Sequence, residues 1–361
     1  MKDISILTNA RSADQRSMIG YGELLLKAAR STGRPVQELR PASPLGRLLP
    51  SRVSGLSRKL ANNLDRFFVG PLSLLARKTD TVHVVDPGNV VYLPFIRHRR
   101  SIVTVHDMIP YLAGDGKLTG WKPTATGRWL MRRILAQLAK VDHIVCVSEV
   151  TRRDLLAYVD IPPERVSVIL NAVFQPIAPT SPEACSDLRQ RIGVPQDAPL
   201  VMHIGRNWYK NREMVLQVAA HARQQRPDLK LVMVGALTSD QLALAEQLEL
   251  GDNLIQIDRI AAEDIATLYT AADVLLFPSW YEGFGLPVLE ARMCGTPVVC
   301  SDAGSLPEVA EGCSTCAPTD KDGLTQAVLS ALSERPPRAC LRKFDAGYWM
   351  DSHLRLYAAL N

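Results

Sequence analysis

Glu282 and Glu290 stand at the two ends of the stretch Glu282-Gly-Phe-Gly-Leu-Pro-Val-Leu-Glu290, separated by a glycine turn. The apolar run from Val274 to Pro278 predicts a buried strand just before it; Pro287 suits the start of a helix and Gly295 its end. Glu282 then falls in a loop and Glu290 one turn into the helix. Gly283 and Gly285 let the backbone of the Gly283-Phe284-Gly285-Leu286 turn approach a ligand closely, and the helix start offers unpaired amide N–H groups that favour an anion. Carboxylates avoid a diphosphate but accept hydrogen bonds from hydroxyls, so acids and turn together suit a nucleotide sugar. We assign Glu282 to the transferred sugar and Glu290 to the ribose. Without neighbouring motifs the same acids read as a solvated loop acid and a helix-start acid that complements the dipole.

Breaking a glycosyl phosphate bond builds negative charge on the leaving diphosphate, which calls for fixed cations. Arg206 and Lys210, following Gly205 at the end of the apolar run Leu200 to Ile204, are the candidates. Arg holds two phosphate oxygens through its planar fork and Lys acts as a point charge, so together they replace a metal ion. The alternative for Arg206 is a surface residue in a mobile loop. His106, after the run Ile102 to Val105, is a candidate to hydrogen-bond the donor sugar, or else a structural strand-end histidine; Asp107 either orients it or closes the turn before Pro110. Asp320-Lys-Asp322 reads as a helix cap in preference to a metal site, Glu308 as a capping acid, and Cys313-Ser-Thr-Cys316 as a thiol pair without further ligands nearby.

The elements that position these residues form two series. Apolar runs at Ile4 to Leu7, Val82 to Val85, Ile102 to Val105, Ile144 to Val147 and Val166 to Ile169 alternate with helical stretches such as Tyr21 to Arg30 and Arg128 to Lys140. A second set at Leu200 to Ile204, Leu231 to Val234, Leu254 to Ile257, Val274 to Phe277 and Val298 to Cys300 alternates likewise with helices. Fully apolar strands between helices predict α/β units with parallel sheets covered on both faces. The proline-rich Gln175 to Pro182 is the linker candidate, giving domains of residues 1–175 and 176–344 and a final amphipathic helix within 345–361. The motifs cluster at the carboxyl ends of strands, where open α/β sheets bind ligands.

A chain of 361 residues exceeds what one core usually organises. No run of about 18 apolar residues exists, and the opening Met1-Lys-Asp-Ile-Ser-Ile-Leu-Thr reads as a strand instead of a signal peptide, so a cytoplasmic location is expected. Seven cysteines, an odd and scattered set, fit a reducing compartment. The net charge of +5 conceals an asymmetry: residues 1–170 carry 26 basic and 14 acidic side chains, residues 171–361 carry 16 and 23. Part of the excess lies in Arg47, Arg52, Arg58, Lys59, Arg66, Arg77 and Lys78, interleaved with leucines and phenylalanines. Such a segment rests on anionic lipid at the inner face of the membrane, receives an anionic acceptor, or is a solvated helical face over its own core. Aromatics are not clustered with the charge, which disfavours nucleic acid.

The ordered stretches Thr104-Val-His-Asp-Met-Ile-Pro110, Val147-Ser-Glu149, Ile204-Gly-Arg206 with Lys210-Asn211, the Glu282/Glu290 segment and Gly304-Ser-Leu-Pro-Glu308 resemble those of the retaining glycosyltransferases of family four. The resemblance implies a GT-B fold, two Rossmann-like domains facing a central cleft, with the C-terminal helix crossing back to the first. It also implies a metal-independent transferase with no cofactor, moving a hexose from a UDP- or GDP-sugar to a hydroxyl of a bacterial envelope glycan or lipid-linked saccharide. Retention would follow from same-face attack, the leaving phosphate deprotonating the acceptor. Three departures stand out: a short Arg206 to Lys210 spacing, Asn171-Ala172 where relatives have Asn-Gly, and a loop from Ala10 to Gly22 with only Gly20 and Gly22. Competing readings are a sugar phosphorylase or epimerase of the same fold and a non-catalytic nucleotide-sugar-binding subunit. An NAD-dependent dehydrogenase is the weakest, because Gly20-Tyr-Gly22 lacks the third glycine of the dinucleotide fingerprint.

Overall fold

The computed structural model describes residues 3–10, 16–48, 55–174, 177–334 and 341–360, with the backbone alone described at Arg16, Ser17, Arg47, Leu56, Arg58 and Lys59. Met1, Lys2, part of the Ala10 to Gly22 loop, Arg52, and Gln175 and Pro176 of the predicted linker therefore lie outside the described residues, as do the side chains of Arg47, Arg58 and Lys59. The chain divides into two compact units. The first comprises Met1–Tyr111, Pro123–Gln175 and Lys343–Asn361, and the second Leu112–Lys122 and Pro176–Arg342.

Each unit holds a six-stranded parallel sheet. In the first, β1 (Ile4–Leu7), β2 (Val36–Leu39), β3 (Lys78–Val84), β4 (Arg97–Val105), β5 (His143–Cys146) and β6 (Val166–Val168) lie in the order β2-β1-β3-β4-β5-β6. In the second, β7 (Leu200–Ile204), β8 (Lys230–Val234), β9 (Leu254–Ile257), β10 (Val274–Phe277), β11 (Val298–Ser301) and β12 (Ser314–Cys316) lie in the order β12-β11-β10-β7-β8-β9. Both orders are doubly wound; in the second the chain reverses its direction of winding between β7 and β10. Side chains at the strand centres, such as Leu231, Met233, Val274 and Leu276, are buried against Val215, Leu216 and Ala219 of the helix Arg212–Ala222.

The C-terminal helix Ala346–Ala359 packs on the helix Arg16–Arg30 of the first unit, burying Trp349 and Tyr357 beside Tyr21 and Leu25. A buried polar chain fastens it. The His83 ring bonds the Tyr357 hydroxyl at 2.8 Å and the Thr104 hydroxyl at 2.9 Å, while the Tyr21 hydroxyl meets Thr104 at 2.9 Å and His353 Nε2 at 3.1 Å. Burial drives the His83 pKa well below its ordinary value and that of His353 down to about 4, so both rings stay neutral and each nitrogen finds a partner without a trapped charge.

Gly20 and Gly22 correct the sequence expectation. Both lie within the helix Arg16–Arg30, not in a loop before it. Their missing Cβ atoms admit neighbours: a Cβ on Gly20 would stand 2.9 Å from Phe174 Cβ, and one on Gly22 3.2 Å from Thr8 Cγ2. They serve close packing.

Candidate functional site

In the second unit the loops after β7 and β10, neighbouring parallel strands, meet at the point where the winding reverses. Three links stitch them together. The Trp280 amide donates to the Tyr209 carbonyl at 2.8 Å, Asn211 Nδ2 donates to the Pro278 carbonyl at 2.9 Å, and Lys210 Nζ lies 2.7 Å from Glu282 Oε1. Asn211 holds φ 53°, the left-handed region that asparagine tolerates better than most residues, and its Nδ2 also reaches the Pro318 carbonyl at 2.8 Å. This bend ends the short turn Trp208–Lys210 and starts the helix Arg212–Ala222.

Lys210 and Glu282 are both buried, with side chains 9% and 8% exposed. The ammonium also lies over the Phe277 ring at 4.5 Å and the Tyr209 ring at 5.2 Å, so aromatic faces supply part of the solvation that water would otherwise give. Gly205 makes room for it: a Cβ there would stand 3.0 Å from Lys210 Cε. The Glu282 backbone is gripped from the other side. Its carbonyl accepts from the Ser305 amide at 3.0 Å and the Ser305 hydroxyl at 3.1 Å, and Gly304, at φ +59°, lies so close that a Cβ would sit 2.5 Å from the same oxygen. The Gly304-Ser305 motif thus acts as a backbone clasp on the loop acid.

The turn Gly283-Phe284-Gly285-Leu286 follows. Gly285 takes φ 100° as the cap of the helix Leu286–Cys294, a conformation that favours glycine, with Pro287 in its first turn and Gly295 closing it. Glu290 points to the Tyr269 hydroxyl at 2.8 Å. Burial lifts the Glu290 carboxyl to about 7, against the opposing pulls of the Tyr269 hydrogen bond and the Lys210 charge. Tyr269, its own phenol held well above the ordinary range by burial and by Glu290, remains a donor.

The sign of the resulting pH dependence follows from linkage. A carboxyl whose folded pKa is raised stabilises the fold fully below its ordinary value near 4.5 and loses that contribution as pH climbs to about 7. Glu290→Gln cannot ionise and still accepts from Tyr269. It is expected to match the parent protein near pH 4 and exceed it by about 3 kcal/mol at pH 8 in thermal unfolding; equal melting temperatures across that range would refute the shift.

Arg206 is exposed on the loop after β7, where Gly235 leaves space for its Cβ. Arg212, which sequence reasoning passed over, donates from Nη1 to the Ala236 carbonyl at 2.7 Å and from Nη2 to the Gly235 carbonyl at 2.6 Å, tying the loops after β7 and β8. His106 belongs to the first unit. Its Nε2 lies 2.7 Å from the Val85 carbonyl, its ring meets the edge of Tyr21 at 4.8 Å, and burial lowers its pKa. In the neutral ring Nε2 is then the donor and Nδ1, buried with no partner among the described residues, is an acceptor turned toward no protein donor. Asp107 closes the turn, accepting from the Ile109 amide at 3.0 Å. Asp320 caps the helix Lys321–Ser333 through the Gly323 amide at 2.9 Å, and Glu308 lies in the first turn of the helix Leu306–Val309.

Two Rossmann-like units, one of them carrying a glycine turn, the buried Glu282 and the part-buried Glu290 at its topological switch, define a sugar-transferring enzyme of the GT-B type. The Glycosyltransferase Family 4 model matches residues 21–174 and the model for glycosyl transferases group 1 matches residues 186–344. The D-inositol 3-phosphate glycosyltransferase of Kineococcus radiotolerans is 32% identical over 79% of this chain and 69% of that protein. The O-antigen chain mannosyltransferase B of Escherichia coli is 29% identical over 68% of this chain and 65% of that protein. Anabaena HepE, solved with UDP and glucose, superposes with a TM-score of 0.71 at 16% identity, covering 99% of this chain and all of that one. The chain belongs to glycosyltransferase family 4 and is a glycosyltransferase.

Proposed function

We propose that the protein transfers a hexose, with retention of anomeric configuration, from a UDP- or GDP-sugar to a hydroxyl of a bacterial envelope glycan or lipid-linked saccharide at the cytoplasmic side of the membrane. The observation that carries this reading is the Lys210–Glu282 pair, 2.7 Å apart and buried at the switch point beside the amide-rich start of the helix Leu286–Cys294. An ammonium has three N–H donors, and Glu282 engages one; the others remain to turn toward diphosphate oxygens with Arg206. Gly205 and the turn Gly283-Phe284-Gly285-Leu286 bring backbone amides to the same anion. Glu282 accepts from hydroxyls of the transferred sugar, Glu290 from the ribose, and His106 through Nδ1 from a sugar hydroxyl.

In the reaction the bond between the anomeric carbon and the diphosphate oxygen breaks, and the acceptor oxygen bonds that carbon from the same face. The acceptor proton passes to the departing diphosphate, so no side-chain base is required. Positioning and fixed positive charge carry the rate, and no metal or other cofactor takes part. The relatives named for transfer to inositol 3-phosphate and for mannosyl transfer, and the neighbour solved with UDP and glucose, support a nucleotide-sugar donor and a hydroxyl acceptor.

The test is a screen of UDP- and GDP-hexoses with the purified protein, following release of the nucleoside diphosphate and the anomeric proton of the product, with and without chelator. Retained configuration and activity unchanged by chelator are expected. An inverted product or strict loss of activity in chelator would overturn the mechanism, and the absence of heat from either UDP or GDP at millimolar concentration would overturn the donor site itself.

A further inference from the structure

A surface of the first unit, remote in sequence from the donor loops, carries chemistry that sugar transfer does not use. Along the helical run Gly55–Leu64, Asp65–Val69 and Gly70–Leu74, the side chains of Leu60, Leu64, Phe68 and Leu72 are exposed, and Leu75 at its end continues them. Phe68 and Leu72 show 63% and 67% of their surfaces. Steps of four residues drift by about 40° around an α-helix of 3.6 residues per turn, which would spread such a row around the cylinder. The segment Asp65–Val69 is a π turn, with more residues per turn and less rotation for each, and it offsets the drift. Within it the Gly70 amide donates to the Asp65 carbonyl five residues back, and Pro71, which follows, has no N–H for the Phe67 carbonyl. The row therefore remains a stripe, and contiguous exposed apolar surface of this kind marks a contact site.

Charge identifies what it contacts. Between Glu38 and Asp80 the sequence holds one acid, Asp65, and that residue is buried, accepting from the Leu45 and Gly46 amides at 3.2 and 2.7 Å. The helix Ala125–Leu138 adjoins through the Phe67–Trp129 ring contact at 5.9 Å and exposes Arg128, Trp129, Arg132 and Arg133, with Arg133 over the Trp129 ring at 5.2 Å. No acid occurs between Asp115 and Asp142. At the end of the stripe Arg77 and Lys78 are also exposed. An apolar stripe with arginine and tryptophan beside it, and no accessible carboxylate in either segment, is the composition of an interfacial lipid-binding surface. A second copy of the chain would present the same cations to themselves, since a two-fold contact pairs a patch with its own image. Among the described residues no helix is long and apolar enough to cross a membrane, so contact would be made from the surface plane.

We infer that the Leu60 to Leu75 stripe and the arginine face of the helix Ala125–Leu138 form one docking surface for an anionic lipid bilayer, whichever sugar is transferred. Vesicle sedimentation tests it with the full chain, using phosphatidylcholine vesicles with and without phosphatidylglycerol. Wild type is expected to partition about tenfold or more in favour of the anionic vesicles and to release as salt is raised. Phe68→Ser/Leu72→Ser and Arg132→Glu/Arg133→Glu should each lower that partition about tenfold or more while keeping the far-ultraviolet dichroism of the parent. Should the serine variant fail to fold, the arginine variant alone carries the test. Equal binding to neutral vesicles, no binding to either kind, or a self-association in analytical ultracentrifugation that Phe68→Ser/Leu72→Ser abolishes would overturn the inference.

Discussion

Glu282→Gln is expected to lower kcat by about two to three orders of magnitude, with nucleoside diphosphate affinity reduced far less. The amide keeps the volume and one acceptor for Lys210 Nζ, now 2.7 Å from Oε1, so the loop should hold its path through the Gly304-Ser305 clasp. What it loses is the negative charge that we propose lies beside the reacting sugar, where an oxocarbenium-like positive charge develops as the glycosyl bond opens. An effect confined to the transition state appears in kcat and kcat/KM together, whereas a purely structural role would weaken diphosphate binding in calorimetry in proportion. Wild-type turnover by Glu282→Gln with a competent acceptor would remove the residue from the catalytic set. Glu282→Ala serves less well, because it also strips the buried ammonium of its partner.

The central strands of both units were legible because each is an apolar run bounded by turn residues, and burial on both faces demands that composition. Two of the four edge strands, β2 and β12, were not. β2, Val36–Leu39, is part-exposed at Val36 and exposed at Gln37 and Glu38 before the buried Leu39, and β12, Ser314–Cys316, is largely exposed, so neither carries an apolar signal. The Glu282 to Glu290 turn was readable from its glycines and proline alone, since the backbone conformation at Gly285 is a local demand. Its partners were not readable. Tyr269 meets Glu290 from another helix, Gly304 presses on the Glu282 carbonyl from a third segment, and Lys210 reaches Glu282 across 72 residues of chain. The Lys210 and Gly304 contacts exist because the sheet order puts β10 between β7 and β11, and no local pattern encodes strand order. The basic surface was half visible in the same way: residues 47 to 78 announced it by composition, whereas the Arg128 to Arg133 face joins it only through the Phe67–Trp129 contact.

Lys210→Met should separate stability from catalysis at this site. Removing one partner of a buried ion pair typically costs about 3–5 kcal/mol, mostly because the other charge is left in a poorly solvated place. Glu282 would be that charge, its side chain 8% exposed. Thermal unfolding of Lys210→Met is therefore expected well below that of the parent. Adding Glu282→Gln removes the stranded carboxylate, and the double variant should recover most of the lost stability, because replacing both members of a buried pair is often nearly neutral. Activity should not recover with it. The double variant still lacks the cation proposed to meet the departing diphosphate, and its kcat is expected about two to three orders of magnitude below the parent. A double variant as unstable as Lys210→Met would show that the pair is held by more than its charges, through the aromatic contacts of the ammonium and its stem over Gly205. A double variant with parental turnover would instead make the pair a structural fastening and leave Arg206 and the backbone amides as the remaining groups proposed to bind the diphosphate.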